Sequence, residues 1–368
     1  MSKRILLISS RADHGGGPRH IELLLQELKE DYEFYIACPE EPPYWGRFRK
    51  IVGNRIFRLP HRKISFRSVI ALYRYVKENS IDLIHSHGKG AGFYAKIIKR
   101  VSKRNWIHTP HGIHIDHYNW LTKNFYRIYE NNFMSIPDKI FFVSEEERKK
   151  SHLENIWQDI PFEVIPNGVP VKLPDDMKIL RPYGRSLLGF TDQVKIVLSI
   201  SRFDYQKNMY EAFLIAQKLP EIMFVWIGNG PDRKILENEI HKKGLKNIKI
   251  IEFCDDPMPY LASADIYLST SRWEGLPLSI LESMSLGIPI VASEVVGHKE
   301  IVEDNQSGVL YSLGDPSKAV NKIKYLLENK RVLTFYKESA MRRQNKNYST
   351  LNMGKIISNN YNLILVKN

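Results

Sequence analysis

The feature that most constrains this chain is an alternation that runs along it twice. Short apolar runs ending in turn residues are followed by amphipathic helical stretches, and the pattern breaks once before restarting. Lys3 to Ser10 reads as a buried parallel strand. The loop Arg11 to Gly17 follows, and Pro18 opens a helix to about Lys29 with Ile21, Leu24, Leu25 and Leu28 on one face. Further strands are predicted at Glu33–Cys38, Leu83–His85, Trp106–Thr109 and Lys139–Val143. Phe162 to Pro170 is turn-rich and reads as a connection, and the stretch to about Thr191 as irregular. The alternation then resumes with strands at Lys195–Ser201, Met223–Ile227, Ile248–Phe253, Ile266–Ser269 and Pro289–Ala292. Helices are expected at Met209–Lys218, Arg233–Lys243 and Leu278–Leu286. The fold class is therefore α/β, with two Rossmann-like doubly wound domains and a cleft expected between the carboxyl ends of their strands.

A length of 368 residues accommodates two such domains, and an apolar fraction of 43% with 26% charged residues is that of a globular chain. Cys38 and Cys254 match no metal or redox spacing, which fits a reducing cytoplasm. The apolar stretch Ile5–Ile8 is too short for a signal-peptide core, and no run approaches the ~18 apolar residues of a membrane helix. The net charge of +13 is concentrated. Between Tyr44 and Arg104 sixteen Lys and Arg face only Glu78 and Asp82. Aromatic residues are interleaved with them, so Trp45, Arg47, Phe48, Arg49, Lys50, Arg58, Arg62 and Lys63 are the candidate residues facing an anionic membrane. A nucleic-acid backbone or a merely solvated basic face are the alternatives; no nucleic-acid module accompanies the stripe, so no nucleic-acid partner is expected.

Four constellations carry chemistry. In Ser271–Glu282 (SRWEGLPLSILE) a strand gives way to a helix. Gly275 permits an unusual turn, Pro277 suits the first helical position, and the helix start is a natural diphosphate site. Glu274 and Glu282 could each grip vicinal sugar hydroxyls, one a hexose and the other a ribose; equally, Glu282 reads as an exposed helix residue and Glu274 as a capping acid. In Ser201–Asn208 (SRFDYQKN), Arg202 and Lys207 are placed to neutralise a diphosphate, or are surface cations. His14–His20 (HGGGPRH) lacks the dinucleotide fingerprint, but its glycines let a ligand approach the backbone. In Thr109–Gly112 (TPHG), His111 could bond a sugar hydroxyl or be structural. His85, His87, His111, His114 and His117 hint at a metal, yet no nearby carboxylate or cysteine pattern supports a closed site, and none is expected.

Together these residues resemble the family 4 glycosyltransferases of the two-domain GT-B fold. The resemblance runs through the Gly-rich loop, His111-Gly112, Pro166-Asn167-Gly168, Arg202 and Lys207, Gly228–Pro231, and the E-x7-E motif Glu274–Glu282 with the following Ser-Met-Ser-Leu-Gly-Ile-Pro-Ile-Val-Ala-Ser. It implies that Arg202 and Lys207 bind a donor diphosphate, Glu274 the sugar ring, Glu282 the ribose, and His111 a donor-sugar hydroxyl. Gly16 and the amides of Leu276 to Leu278 would approach phosphate and sugar. Phe253 and Cys254 would hold the base, and Gly17, Gly230, Gly275 and Pro277 complete the donor site. Retention of anomeric configuration and the absence of any cofactor or catalytic metal are implied in the same way.

The domains are expected at 1–165 and 170–345, with a last helix at about 351–368 returning to the first. The donor is expected to be a UDP-hexose or UDP-N-acetylhexosamine, with GDP-mannose the rival. The acceptor is expected to be a polyprenyl-diphosphate-linked saccharide at the inner face of the cytoplasmic membrane. Ser201, Cys254-Asp255 and Val296–Glu300 depart from the family pattern. A sugar-nucleotide epimerase, a nucleic-acid-binding protein and a non-catalytic scaffold are the competing readings.

Overall fold

The computed structural model describes residues 2–61, 63–113, 115 and 118–366. They form two units. The first runs to Gly168 and resumes at Thr350; the second is Val169–Ser349. The first unit thus ends three residues later than read from the sequence, and the second starts one residue earlier and ends four later.

In the first unit the strands are β1 (Arg4–Ser9), β2 (Glu33–Pro39), β3 (Ile56–Leu59), β4 (Leu83–His87), β5 (Asn105–Thr109), β6 (Lys139–Phe142) and β7 (Phe162–Val164). Its helices are α1 (Gly16–Leu28), α2 (Tyr44–Val52), α3 (Phe66–Glu78), α4 (Lys89–Ser102), α5 (Trp120–Asn132) and α6 (Glu145–Leu153). The sheet order is β3-β2-β1-β4-β5-β6-β7, all parallel. β1 is central because Ile5, Leu6, Leu7 and Ile8 are wholly buried, as a strand covered on both faces requires. Leu6 lies beside Tyr35 on one side and Ile84 on the other.

The second unit opens with α7 (Pro174–Leu188) and continues β8 (Ile196–Ile200), α8 (Met209–Gln217), β9 (Met223–Ile227), α9 (Arg233–Lys242), β10 (Ile248–Ile251), α10 (Met258–Ser263), β11 (Ile266–Ser269), α11 (Leu278–Ser285), β12 (Ile290–Ser293), α12 (His298–Ile301), β13 (Val309–Tyr311), α13 (Pro316–Glu328) and α14 (Lys330–Asn347). Its parallel order, β10-β9-β8-β11-β12-β13, repeats that of the first. α15 (Thr350–Val366) belongs to the first unit, where Tyr361 Oη lies 2.6 Å from His85 Nδ1 and Tyr32 Oη 3.0 Å from Asn362 Oδ1. In each unit the winding reverses at one place, between β1 and β4 and between β8 and β11. Loops leaving the carboxyl ends of those strands diverge there, which opens room for a ligand.

Three expectations need correction. β7 lies within the segment read as a connection; it is a three-residue edge strand without buried side chains, so it leaves no apolar run. α7 occupies the stretch read as irregular. Its interior Pro182 obscures the helical pattern, while Asp175 and Asp176 in its first turn favour the helix start. α1 begins at Gly16, so Gly16 and Gly17 are helix-opening residues and not loop.

Candidate functional site

In the second unit the loop after β8 carries Arg202 and Lys207, and the loop after β11 carries Glu274. The winding reversal therefore brings the second and first constellations together. Lys207 Nζ donates to Glu274 Oε1 at 2.6 Å, and Ser271 Oγ donates to the same oxygen at 2.6 Å. Both charged side chains are largely withdrawn from solvent. Burial alone would push the Glu274 carboxyl up, but Lys207 and Ser271 outweigh it and hold the carboxyl below the usual range. Lys207 and Glu274 line a small cavity with the hydroxyls of Ser201, Ser269, Ser271 and Ser279. The cavity is about the size of one water molecule, and its hydroxyls are held by internal partners, Ser269 by His298 and Ser279 by Tyr267.

Arg202 lies apart from this pair. Its guanidinium is half exposed, 3.0 Å from Asp204 Oδ2 and 3.3 Å from Gln206 Oε1. Glu282 is buried in α11 at 6% exposure, which removes the reading of it as an exposed helix residue. Pro277 is the N-cap and not the first helical residue; Leu276, Pro277 and Leu278 are buried, and Gly275 is half-buried beside them. Phe253 and Cys254 are half-buried in the loop after β10, the edge strand. Gly230 has a packing reason: a Cβ there would stand 2.3 Å from the Phe203 carbonyl oxygen.

Two supports of Glu274 escape the sequence reading. Gly297 has φ +86°, and a Cβ on it would lie 2.6 Å from the Glu274 carbonyl oxygen, so a side chain at 297 would displace the loop. His298 is wholly buried and neutral, since burial lowers its pKa more than Glu274 raises it. Its Nδ1–H donates to the Ser293 carbonyl at 2.8 Å, leaving Nε2 to accept from Ser269 Oγ at 3.0 Å. The signal was the Val-Gly-His run after β12, read above only as a departure.

In the first unit the third and fourth constellations also meet. A Cβ on Gly17 would stand 3.7 Å from His111 Cδ2, so the start of α1 lies against the His111 ring. His111 follows β5 with φ +56°, a left-handed conformation held from behind. The Glu147 carboxylate accepts from Gly112 N–H, and from Val143 N–H at 2.9 Å. The sequence signal for Glu147 was the Ser144-Glu-Glu-Glu147 start of α6, where Ser144 Oγ accepts from the Glu147 N–H at 3.1 Å. His87, at the end of β4, has Nδ1 3.1 Å from His111 Nε2. Burial drives the pKa of His87 and His111 well below its ordinary value and that of His20 to about 4, so all three rings are neutral. His85 is held separately by Tyr361 and Thr109. His114 and His117 lie outside the described residues.

Two family descriptions match. "Glycosyltransferase Family 4" covers residues 14–173 and "Glycosyl transferases group 1" residues 185–348. The chain is a family 4 glycosyltransferase. Among its relatives, the UDP-Gal:alpha-D-GlcNAc-diphosphoundecaprenol alpha-1,3-galactosyltransferase of Escherichia coli is 25% identical over 334 residues, 83% of this chain and 84% of that one. The O-antigen biosynthesis glycosyltransferase WbnH of E. coli is 25% identical over 347 residues, 94% and 95% of the two chains. Among solved structures, Anabaena Alr3699/HepE in complex with UDP and glucose superposes with a TM-score of 0.84 at 18% identity, covering 98% of this chain and all of that one. That likeness shows the GT-B fold of this glycosyltransferase.

The expected membrane-facing set is only partly at the surface. Phe48 is wholly buried, because it points from α2 into the core, and is withdrawn from the set. Trp45 is half-buried, and Arg47 is turned toward Glu22 at 3.4 Å. Arg49, Lys50 and Lys63 are exposed, Arg58 is exposed but paired with Glu40, and Arg62 lies outside the described residues. The exposed apolar surface of this unit lies elsewhere. Trp120, Leu121, Phe125 and Ile128 project from α5, and Ile64, Phe66 and Ile70 stand at and beside the start of α3. Among the described residues no helix is long and apolar enough to cross a membrane.

Proposed function

We propose that this glycosyltransferase moves a hexose or N-acetylhexosamine from a UDP-sugar, with retention of configuration, to a polyprenyl-diphosphate-linked saccharide in surface-polysaccharide assembly. The observation that carries the reading is the buried Lys207–Glu274 pair at the winding reversal of the second unit, beside a cavity lined with hydroxyls. The UDP and glucose named with HepE and the UDP-galactose and diphosphoundecaprenol named for the E. coli relative support the choice of donor and acceptor.

In this account Lys207 and Arg202 exchange their carboxylate partners for the donor diphosphate. The start of α11 adds backbone N–H groups. Glu274 accepts from sugar hydroxyls, Glu282 from the ribose, and Phe253 and Cys254 flank the base. His111 is assigned a donor-sugar hydroxyl. The acceptor hydroxyl oxygen bonds the anomeric carbon on the face from which UDP departs. The carbon–oxygen bond to the β-phosphate breaks, and the hydroxyl proton passes to the leaving phosphate. Fixed cations and amides are worth most as that charge develops, so transfer is proposed to need no metal.

The apolar face of α5 and the exposed Lys63, Arg67 and Arg74 are proposed to meet an anionic lipid surface, where a lipid-linked acceptor resides. The test is to incubate the protein with labelled UDP-sugars, polyprenyl-diphosphate saccharides and EDTA. Label in the lipid extract, with the α-anomeric signal of the donor kept, is the expected result. Free labelled sugar nucleotide altered at one carbon, with no labelled lipid, would instead make it an epimerase.

A further inference from the structure

Three histidines from separate parts of the first unit converge: His20 on α1, His87 at the end of β4 and His111 after β5. One nitrogen from each lies within 4.8 Å of the other two. The ring centroids of His20 and His111 are 4.9 Å apart, and those of His87 and His111 5.3 Å. His20 Nδ1–H donates to Asn167 Oδ1 at 2.9 Å, which fixes the tautomer and leaves Nε2 with a bare lone pair. That Nε2 is buried and has no partner; His87 Nε2 is also buried and unpartnered, but Nδ1 is the nitrogen that faces His111, so Nε2 would carry the ring proton when Nδ1 binds a cation. A buried lone pair left unsatisfied is costly, and a cation would satisfy it.

The geometry points to a site for a divalent transition cation, Zn²⁺ in the first instance, held by His20, His87 and His111. Zinc–imidazole bonds of about 2.0–2.1 Å place neighbouring nitrogens about 3.3 Å apart in a tetrahedron. The pair His87 Nδ1 and His111 Nε2 stands at 3.1 Å, and the His20 nitrogen lies within 4.8 Å of both, so His20 must move toward them to close the site. Asn167 does what an outer partner of a ligating imidazole does: it orients the ring and holds its proton on the far nitrogen. His111 is half-exposed, which leaves a path for entry and a fourth position for water or another ligand. Three imidazoles without a carboxylate favour zinc over magnesium or calcium. The site shares His111 with the proposed transfer chemistry, so its effect on activity rests on that reading: a cation on His111 would compete with the sugar hydroxyl assigned to it. Zinc is therefore expected to inhibit transfer.

The test needs neither donor nor acceptor. Zn²⁺ is titrated into the full chain at neutral pH against a chromogenic chelator, with Mg²⁺ as the control. One tight Zn²⁺ per chain and no Mg²⁺ is expected. Asn167→Ala should weaken binding about 10–100-fold, as loss of an outer partner does, and His20→Gln further, while the exposed His241→Ala changes nothing. The unaltered chain with Co²⁺ should show the intense visible bands of a four-coordinate ion, which needs no variant to fold. Zinc affinity unchanged by both Asn167→Ala and His20→Gln, or a weak six-coordinate Co²⁺ spectrum, would overturn the proposal.

Discussion

Lys207 Nζ and Glu274 Oε1 stand 2.6 Å apart, each supplied by a different loop at the point where the second sheet reverses its winding. The pair latches those loops together and stores, as an ion pair, the charge that a diphosphate and a sugar would each meet.

Removing one partner strands the other. Lys207→Met leaves a buried carboxylate without its cation, and the cost of breaking such a pair is about 3 kcal/mol or more. Urea unfolding should show the midpoint falling, and Lys207→Met with Glu274→Gln should recover part of the loss. A double variant less stable than the sum of the singles would contradict the latch.

The pH dependence has a definite sign. The Glu274 carboxyl is held below its ordinary value of 4.5, so its contribution to stability is complete above that value and is lost as pH falls through the depressed pKa. Wild type should therefore lose stability more steeply than Glu274→Gln on acidification below pH 4.5, and parallel curves would remove Glu274 from the linkage.

Arg202 is half exposed and held by Asp204 and Gln206, so stability should barely register Arg202→Ala. Transfer should register it strongly: kcat/KM is expected to fall about a hundredfold or more, the size of a lost contact to developing charge. A fall under about threefold would take Arg202 out of the mechanism.

Glu147 acts behind His111. Glu147→Gln keeps one acceptor oxygen for two buried N–H groups, and the unmet one costs about 1–3 kcal/mol. The variant should melt at a lower temperature, with a fall in kcat/KM that His111→Ala does not deepen. Effects of the two changes that simply add would separate Glu147 from His111.

The α5 face gives a lipid test. Phe125→Ser with Leu121→Ser should weaken sedimentation with anionic vesicles at low salt and leave folding intact, since both side chains are exposed. Unchanged binding would move the lipid contact away from α5.

The fold was legible because both sheets rest on runs such as Ile5–Ile8 and Ile196–Leu198, whose two-sided burial leaves an unbroken apolar signature. α7 was hidden by Pro182, and β7 by its exposed edge position. The charge-bearing loops were legible as well, because Arg202, Lys207 and Glu274 follow strand ends and strand ends adjoin the reversal. What faced what was not. Nothing in the spacing of residues 20, 87 and 111 brings three imidazoles together, since each belongs to a different strand–helix unit. The basic run between Tyr44 and Arg104 likewise drew attention to Phe48, which helical periodicity turns into the core, and away from α5, which lies beyond the run.

The central claim is that the second unit holds a nucleotide sugar through Lys207 and Glu274. The most direct measurement is thermal unfolding with UDP, GDP, ADP and their sugar conjugates, each with and without EDTA, for the wild type and Lys207→Met. A ligand at 100 times its Kd adds about 2.7 kcal/mol. The account predicts that UDP and a UDP-sugar raise the wild-type transition regardless of EDTA and leave Lys207→Met unmoved. No shift with any nucleotide, or an equal shift in both proteins, would contradict it.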